Sequence, residues 1–208
     1  MKLLTYYTDS HKDLFGGCFL PSIPAEDNFD LNIGCGVQRS VDGAYTSKGF
    51  NQTTEEKIRC ILSVLDTMDD DTRLLYSDCD VVFLKPVKGY LQGYSGYDMV
   101  FQEGHSEFNT GFMLMRNGSG VRALLLDVAQ QCNRYKNDQD ALNLLMGSHY
   151  LSYKKFDRRV LSPADFIFPC LWDGHKFPVP DSALVFHACW CVGVERKKLL
   201  LDMVKNES

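Results

Sequence analysis

Two carboxylates interrupt an otherwise apolar run at residues 74–83, Leu-Leu-Tyr-Ser-Asp-Cys-Asp-Val-Val-Phe. Asp78 and Asp80 are two positions apart, so an extended chain points both to one side. Paired carboxylates at a buried strand end repel each other and are costly to desolvate. A divalent cation with oxygen ligands removes both penalties, which is the chemistry of Mg²⁺, Mn²⁺ and Ca²⁺. The rival account is a tight turn in which both side chains bond to backbone. For a D-x-D taken alone, the turn is the simpler account.

Strand ends are needed to hold such groups. Residues 2–8 read as a first strand that closes in a polar turn, Asp9-Ser10-His11. Residues 28–37 read as a second strand ended by Gly34 and Gly36, with a polar loop over 38–52. Thr53 stands three before Glu56, a capping-box spacing, and Ile58, Ile61, Leu62, Leu65 and Met68 follow at helical spacing. Asp69-Asp70-Asp71 is then a solvated turn, and the strand carrying Asp78 and Asp80 runs to Lys85-Pro86. Residues 97–102 and 112–115 read as strands, and Asn109-Thr110-Gly111 between them is good turn chemistry. Val121, Leu124, Leu125, Val128, Ala129 and Cys132 make a helical stripe, and Asn137-Asp138-Gln139-Asp140 opens a helix through Met146. Residues 161–180 read as a long aromatic loop, 184–187 as a last strand and 195–204 as a closing helix. Alternating strands and helices predict one α/β domain over 1–208 with a mostly parallel central sheet. Ligands of such sheets gather at the carboxyl ends of the strands. Thr8-Asp9, Asp78-Asp80 and His187 all fall at such ends.

The bulk numbers narrow the partners. A net charge of −5 and a pI near 5.5 lack the basic footprint of a non-specific nucleic-acid binder. No stretch approaches the ~20 apolar residues of a membrane span. Any apolar core after Met1-Lys2-Leu3-Leu4 ends at once in polar residues, unlike a signal peptide. Eight cysteines occur without a C-x-x-C or zinc-type spacing. The expectation is reduced thiols in a cytoplasmic protein. Cys189 and Cys191 could chelate a metal, but strand residues flanking Trp190 are the simpler reading.

Four segments together carry a resemblance. Ser77-Asp78-Cys79-Asp80-Val81-Val82-Phe83 with Lys85-Pro86 resembles the D-x-D signature of nucleotide-sugar glycosyltransferases of the GT-A (Rossmann-like) fold. Asn109-Thr110-Gly111-Phe112-Met113 resembles their N-T-G-F segment, and Asp138-Gln139-Asp140-Ala141-Leu142-Asn143 their D-Q-D-x-L-N helix start. Phe186-His187-Ala188-Cys189-Trp190 resembles their late histidine motif. The four occur in the family's order across residues 77–190, which makes the set far more specific than any one of them.

The resemblance implies an α/β/α sandwich and a transferase. A sugar nucleotide leaves as a diphosphate, and breaking its sugar–oxygen bond loads negative charge onto that group. A cation held by Asp78, Asp80 and His187 would act on both phosphates as a Lewis acid. Nitrogen with carboxylate ligation suits Mn²⁺ better than Ca²⁺, with Mg²⁺ as the alternative cation. Asp138 is otherwise a helix cap; the resemblance makes it a partner for donor-sugar hydroxyls and sets Gln139 beside the anomeric carbon. Gln139 is a poor nucleophile, which favours front-face attack with retention of configuration. Tyr7, Thr8 and Asp9 are implied at uracil and ribose of a UDP-sugar donor. Lys57, Cys79, Asn109, Thr110 and Lys197 are implied against the rest of it. The solvated reading stays open for Lys57, and for Arg196, Lys197 and Lys198. Trp172-Asp173-Gly174 is a candidate wall for a glycan or glycoprotein acceptor. His11, His105, His149 and His175 carry no partner pattern. Two rivals remain: a metal-dependent nucleotidyltransferase or nucleotide-sugar hydrolase, and a sugar-nucleotide-binding module without turnover.

Overall fold

The computed structural model of the chain describes residues 1–40, 47–104, 107–167 and 170–207. His105 and parts of the two loops expected over 38–52 and 161–180 lie outside the described residues. In chain order, β1 (Lys2–Tyr7) is followed by α1 (Lys12–Leu14), a five-residue π-helical turn (Phe15–Phe19) and α2 (Leu20–Ser22). Then come β2 (Asp30–Cys35), α3 (Phe50–Leu65), β3 (Arg73–Ser77), β4 (Val81–Phe83) and α4 (Lys88–Gln92). The hairpin β5 (Met99–Gly104) and β6 (Glu107–Arg116) leads to α5 (Ser119–Gln131) and α6 (Asp138–Leu145). The chain continues through β7 (Tyr153–Lys155), β8 (Val160–Leu161), α7 (Ala164–Ile167), β9 (Val185–His187) and α8 (Val194–Glu207).

Six strands form the central sheet in the order β2-β1-β3-β6-β5-β7. Only β6 runs against its neighbours, so the sheet is mostly parallel, as expected for an α/β fold of the GT-A kind. Side-chain alternation feeds two cores. Leu4, Tyr6, Leu74, Tyr76, Met99, Phe101, Met113 and Met115 pack under α3, α5 and α6. Leu3, Leu75, Val100, Phe112 and Leu114 face the other way. That second face is covered by the helical segment after β1, by α4, and by a separate sheet of order β4-β9-β8. In β4 the alternation continues: Val81 and Phe83 face the central sheet while Val82 packs with Leu200, Leu201 and Val204 of α8.

Several sequence expectations are corrected. Asp78 and Asp80 do not lie within a strand; β3 ends at Ser77, β4 starts at Val81, and the motif is the turn between two sheets. Helix α3 starts at Phe50, three residues before Thr53, after Gly49 with φ 89°. Thr53 therefore sits inside the first turn, where its hydroxyl donates to the Gly49 carbonyl, and no capping box forms. A Cβ on Gly49 would stand 2.5 Å from the Arg39 carbonyl oxygen, so the start needs glycine on two counts. Asn109-Thr110-Gly111 belongs to β6 rather than to a turn. The 161–180 loop contains α7, and Tyr153–Lys155 and Val160–Leu161 are strands too short to read from periodicity. Cys189 and Cys191 follow β9 outside any strand, Cys189 in a turn. All eight cysteines are free. No described helix is long and apolar enough to cross a membrane.

Candidate active site

A cleft of about 400 Å³ opens where β1 and β3 end, β6 begins and β9 leaves the small sheet. Its floor is the turn Asp78-Cys79-Asp80, held by both sheets. The Asp78 amide donates to the Gly111 carbonyl of β6 at 2.7 Å, and the Ala188 amide beyond β9 donates to the Asp80 carbonyl at 3.0 Å. Two segments more than a hundred residues apart thus meet, and ligand atoms of Asp78, Asp80 and His187 lie within 4.8 Å of one another.

Each carboxylate uses one oxygen to meet a lysine and turns the other inward. Asp80, 4% exposed, receives Lys197 Nζ on Oδ2 at 2.6 Å and faces His187 Nε2 with Oδ1 at 3.2 Å. Burial alone would raise its pKa; Lys197 and His187 outweigh that and hold it well below the usual carboxylate range. Asp78 Oδ1 accepts from Tyr76 Oη at 2.5 Å and lies 3.7 Å from Lys57 Nζ. Its Oδ2 shares with His187 the space over Gly111. A Cβ on Gly111 would come within 2.2 Å of His187 Cε1 and 2.8 Å of Asp78 Oδ2. Burial works against a charge on His187, but Cys189 and Asp80 beside it push its pKa up to about 10.

Lys57 is buried, so its solvated reading fails. Its Nζ lies 2.5 Å from Asp138 Oδ2 and 3.4 Å from Thr110 Oγ1, with the Tyr76 ring 5.5 Å away. The contact with Asp138 is a buried ion pair. Desolvation opposes the ammonium charge, yet Asp138 and Asp78 raise the Lys57 pKa above its ordinary value. Lys197, one turn into α8, is likewise held charged by Asp80 against its burial.

The sugar-facing expectations also converge. Asn137, not Asp138, caps α6, its Oδ1 accepting from the Asp140 amide at 2.8 Å. Asp138 is free of that duty; its amide donates to Thr54 Oγ1 at 3.2 Å while its side chain meets Lys57. Gln139 lines the cleft beside it. Asn143 clamps this helix to β6, accepting from the Phe108 amide and donating to its carbonyl, both at 2.8 Å. Asn109 Oδ1 accepts from the Gly111 amide at 2.7 Å. Tyr7, Thr8 and Cys79 line the same cleft, and Tyr7 stacks on Phe15 at 4.5 Å and 9°. Asp9 does not join them: it is exposed at the first position of a short 3₁₀ turn, away from the lining. Trp172 is also not a wall of the cleft. It is buried in the α8 core with Nε1 donating to the His175 carbonyl; Leu171 and Trp190 line the cleft instead.

Two contributors escaped the sequence reading. His11 lines the cleft, its Nδ1 2.8 Å from Ser10 Oγ, and burial followed by nearby Lys197 lowers its pKa. Its place in the turn that ends β1, two residues after Asp9, was the signal. Gln102 lies 2.7 Å from His187 Nδ1 through Oε1; one amide in the apolar run Met99-Val100-Phe101 was the only hint. His149 and His175 pair with Asp127 and Asp173 outside the cleft.

Two carboxylates and an imidazole are a fitting donor set for Mn²⁺ or Mg²⁺. Three carboxylates (Asp78, Asp80, Asp138) face two lysines, so a divalent cation would leave the floor positive, suited to a diphosphate.

Residues 29–201 match the model of the nucleotide-diphospho-sugar transferase family. Among curated protein sequences, none matches. A glycosyltransferase involved in glycosylation of the major capsid of PBCV-1 superposes with a TM-score of 0.63 at 11% identity, over 98% of this chain and 100% of that one. The galactosyltransferase LgtC, solved with donor and acceptor sugar analogues, gives 0.58 at 16% identity, over 97% and 95%. Mouse xyloside xylosyltransferase 1 gives 0.53 at 12%, over 90% and 97%. These three share the fold, and the family model covers most of the sequence, from the second strand of the sheet to the lysine-bearing last helix. The chain belongs to the nucleotide-diphospho-sugar transferases and is a glycosyltransferase.

Proposed function

We propose that the protein moves a sugar from a UDP-sugar to a hydroxyl of a glycan or glycoprotein, with retention of anomeric configuration and with Mn²⁺ (or Mg²⁺) held by Asp78, Asp80 and His187. The observation that carries this reading is the convergence of those three ligands with Lys197 on the floor of the cleft. The cation, when bound, supplies Lewis-acid neutralisation of the diphosphate. Lys197 adds a fixed positive charge where the leaving group gathers negative charge. Tyr7, backed by Phe15, offers a flat ring of a size that suits a pyrimidine.

Asp138 accepts from donor-sugar hydroxyls, with Lys57 paired against its Oδ2. Thr110 and Asn109 on β6 complete the sugar pocket. Gln139 stands where a nucleophile would act in a double displacement, and its amide cannot form a stable glycosyl intermediate. The acceptor oxygen therefore approaches C1 from the face the diphosphate leaves. The C1–O(phosphate) bond breaks, the acceptor O–C1 bond forms, and the acceptor's proton passes to the departing phosphate oxygen.

Calorimetry with UDP, GDP and ADP, each with and without Mn²⁺, tests the donor and the metal together. UDP should bind more tightly than either purine nucleotide, and only with Mn²⁺. Asp80→Ala should abolish that binding while circular dichroism stays native. Equal affinities for the three nucleotides would remove the uracil assignment, and undiminished binding by Asp80→Ala would remove the metal centre.

A further inference from the structure

The side chain of Gln102 is 1% exposed and occupies the seam between the two sheets. Strand alternation sets it on the same face as Val100, toward the small sheet. There it meets a backbone group and a ring nitrogen. Nε2 donates to the Leu161 carbonyl of β8 at 3.2 Å, and Oε1 lies 2.7 Å from His187 Nδ1 in β9. A carbonyl oxygen only accepts, so it fixes which end of the amide is NH₂. Reversing the amide would set two oxygens against each other at Leu161. With Oε1 on the histidine side, Nδ1 must carry a proton, because an amide oxygen cannot donate. Nε2 is then the ring nitrogen left for Asp80, 3.2 Å away, and for the cleft.

We propose that Gln102 is a positioning residue for the cation: it selects the Nδ1–H tautomer of His187 and aims Nε2 at the space shared with Asp78 and Asp80. The inference rests on the metal reading of those three residues. Histidine ligands are generally oriented by a partner on their second nitrogen, and losing it weakens metal binding about 10–100-fold. A carboxylate is a common partner in that role. The neutral amide here adds no further negative charge to a floor that already holds Asp78, Asp80 and Asp138. The same side chain ties β5 of the central sheet to β8 and β9, so orientation of the ligand is coupled to the docking of the small sheet.

Mn²⁺ affinity in the presence of saturating UDP, followed by loss of the free Mn²⁺ electron paramagnetic resonance signal, tests this without turnover. His187→Ala should weaken Mn²⁺ binding; if it does not, the metal reading itself fails. Gln102→Leu should weaken it about 10–100-fold. Adding Gln102→Leu to His187→Ala should then change nothing further. Normal affinity in Gln102→Leu beside a weakened His187→Ala would overturn the proposal while leaving the metal site intact. The wild-type protein gives a reading independent of variant folding. With UDP and Mg²⁺ bound, ¹⁵N imidazole shifts should show His187 protonated at Nδ1; protonation at Nε2 would also overturn the proposal.

Discussion

Gln139 and Asp138 are neighbours on one helix start but differ in what surrounds them. Asp138 is buried against the Lys57 ammonium, whereas Gln139 is half-buried on the cleft lining, with only its backbone carbonyl taken, by Asn143 Nδ2. A carboxylate held 2.5 Å from an ammonium is a weakened nucleophile, and an amide is a poor one. Both facts favour transfer on one face of the sugar. Gln139→Ala should therefore lower turnover by about 10–100-fold, as for a lost positioning contact, without abolishing it. NMR of the first-formed product should show the donor's anomeric configuration. An inverted centre would end the front-face mechanism and redirect attention to Asp138 or Asp140 as a general base.

Strand β6 does more than pair. Its register against β5 jumps at Gln102: Phe101 stands opposite Met113, but the next residue stands opposite Asn109. Residues 110–112 are thereby left without partners on β5, while Phe112 still pairs with Ser77 of β3. Such irregularities bend a strand and re-aim its side chains. Here the bend brings Thr110 to Lys57 and lays Gly111 flat against Asp78 and His187. Only a residue without a side chain fits there. Gly111→Ala should lose Mn²⁺-dependent UDP binding, with overpacking lowering stability by about 1–3 kcal/mol. Calorimetry and thermal melts check both; wild-type affinity would show that the floor yields more than a 2.2 Å contact allows.

At the scale of the molecule, chemistry and stability occupy opposite ends of the sheet. The cleft lies at the carboxyl ends of β1 and β3; at the other end, Asp98 ties β5, β6 and the approach to β7 together. It accepts from Arg116 Nε at 3.0 Å and from the Ser152 amide at 2.8 Å. Burial would raise its pKa, but Arg116 and Ser152 prevail and lower it. A carboxylate with a depressed folded-state pKa stabilises the fold above its unfolded value of about 3.9 and loses that contribution as pH falls through the folded value. Asp98→Asn should therefore reduce the melting temperature at neutral pH, and the difference from wild type should shrink below about pH 4. A difference that stays constant from neutral to acid would show that charge is not the cause. Nucleotide affinity should be unchanged, since Asp98 is far from the cleft lining.

Local chemistry was written in the chain. The D-x-D, the N-T-G-F segment, the D-Q-D helix start and the late histidine all mark residues that line the cleft, because each needs a residue type at a set spacing along one short segment. The strand–helix alternation likewise predicted a mostly parallel α/β sheet, since burial on alternate faces leaves a period in the sequence. What the sequence left open was set by contacts between distant segments. Lys57 looked like a solvated helix lysine until Asp138, eighty-one positions on, came to lie against it. Trp172 looked like a cleft wall, but α8 closed over it. Gln102 meets Leu161 and His187 only through the tertiary fold, so no local pattern could mark it. The D-x-D looked like part of one strand because Val81–Phe83 is as apolar as Arg73–Ser77 is β-prone; only pairing with β9 shows that the chain changes sheets between them. Periodicity records which face of a segment is buried, and it carries no record of what the segment is buried against.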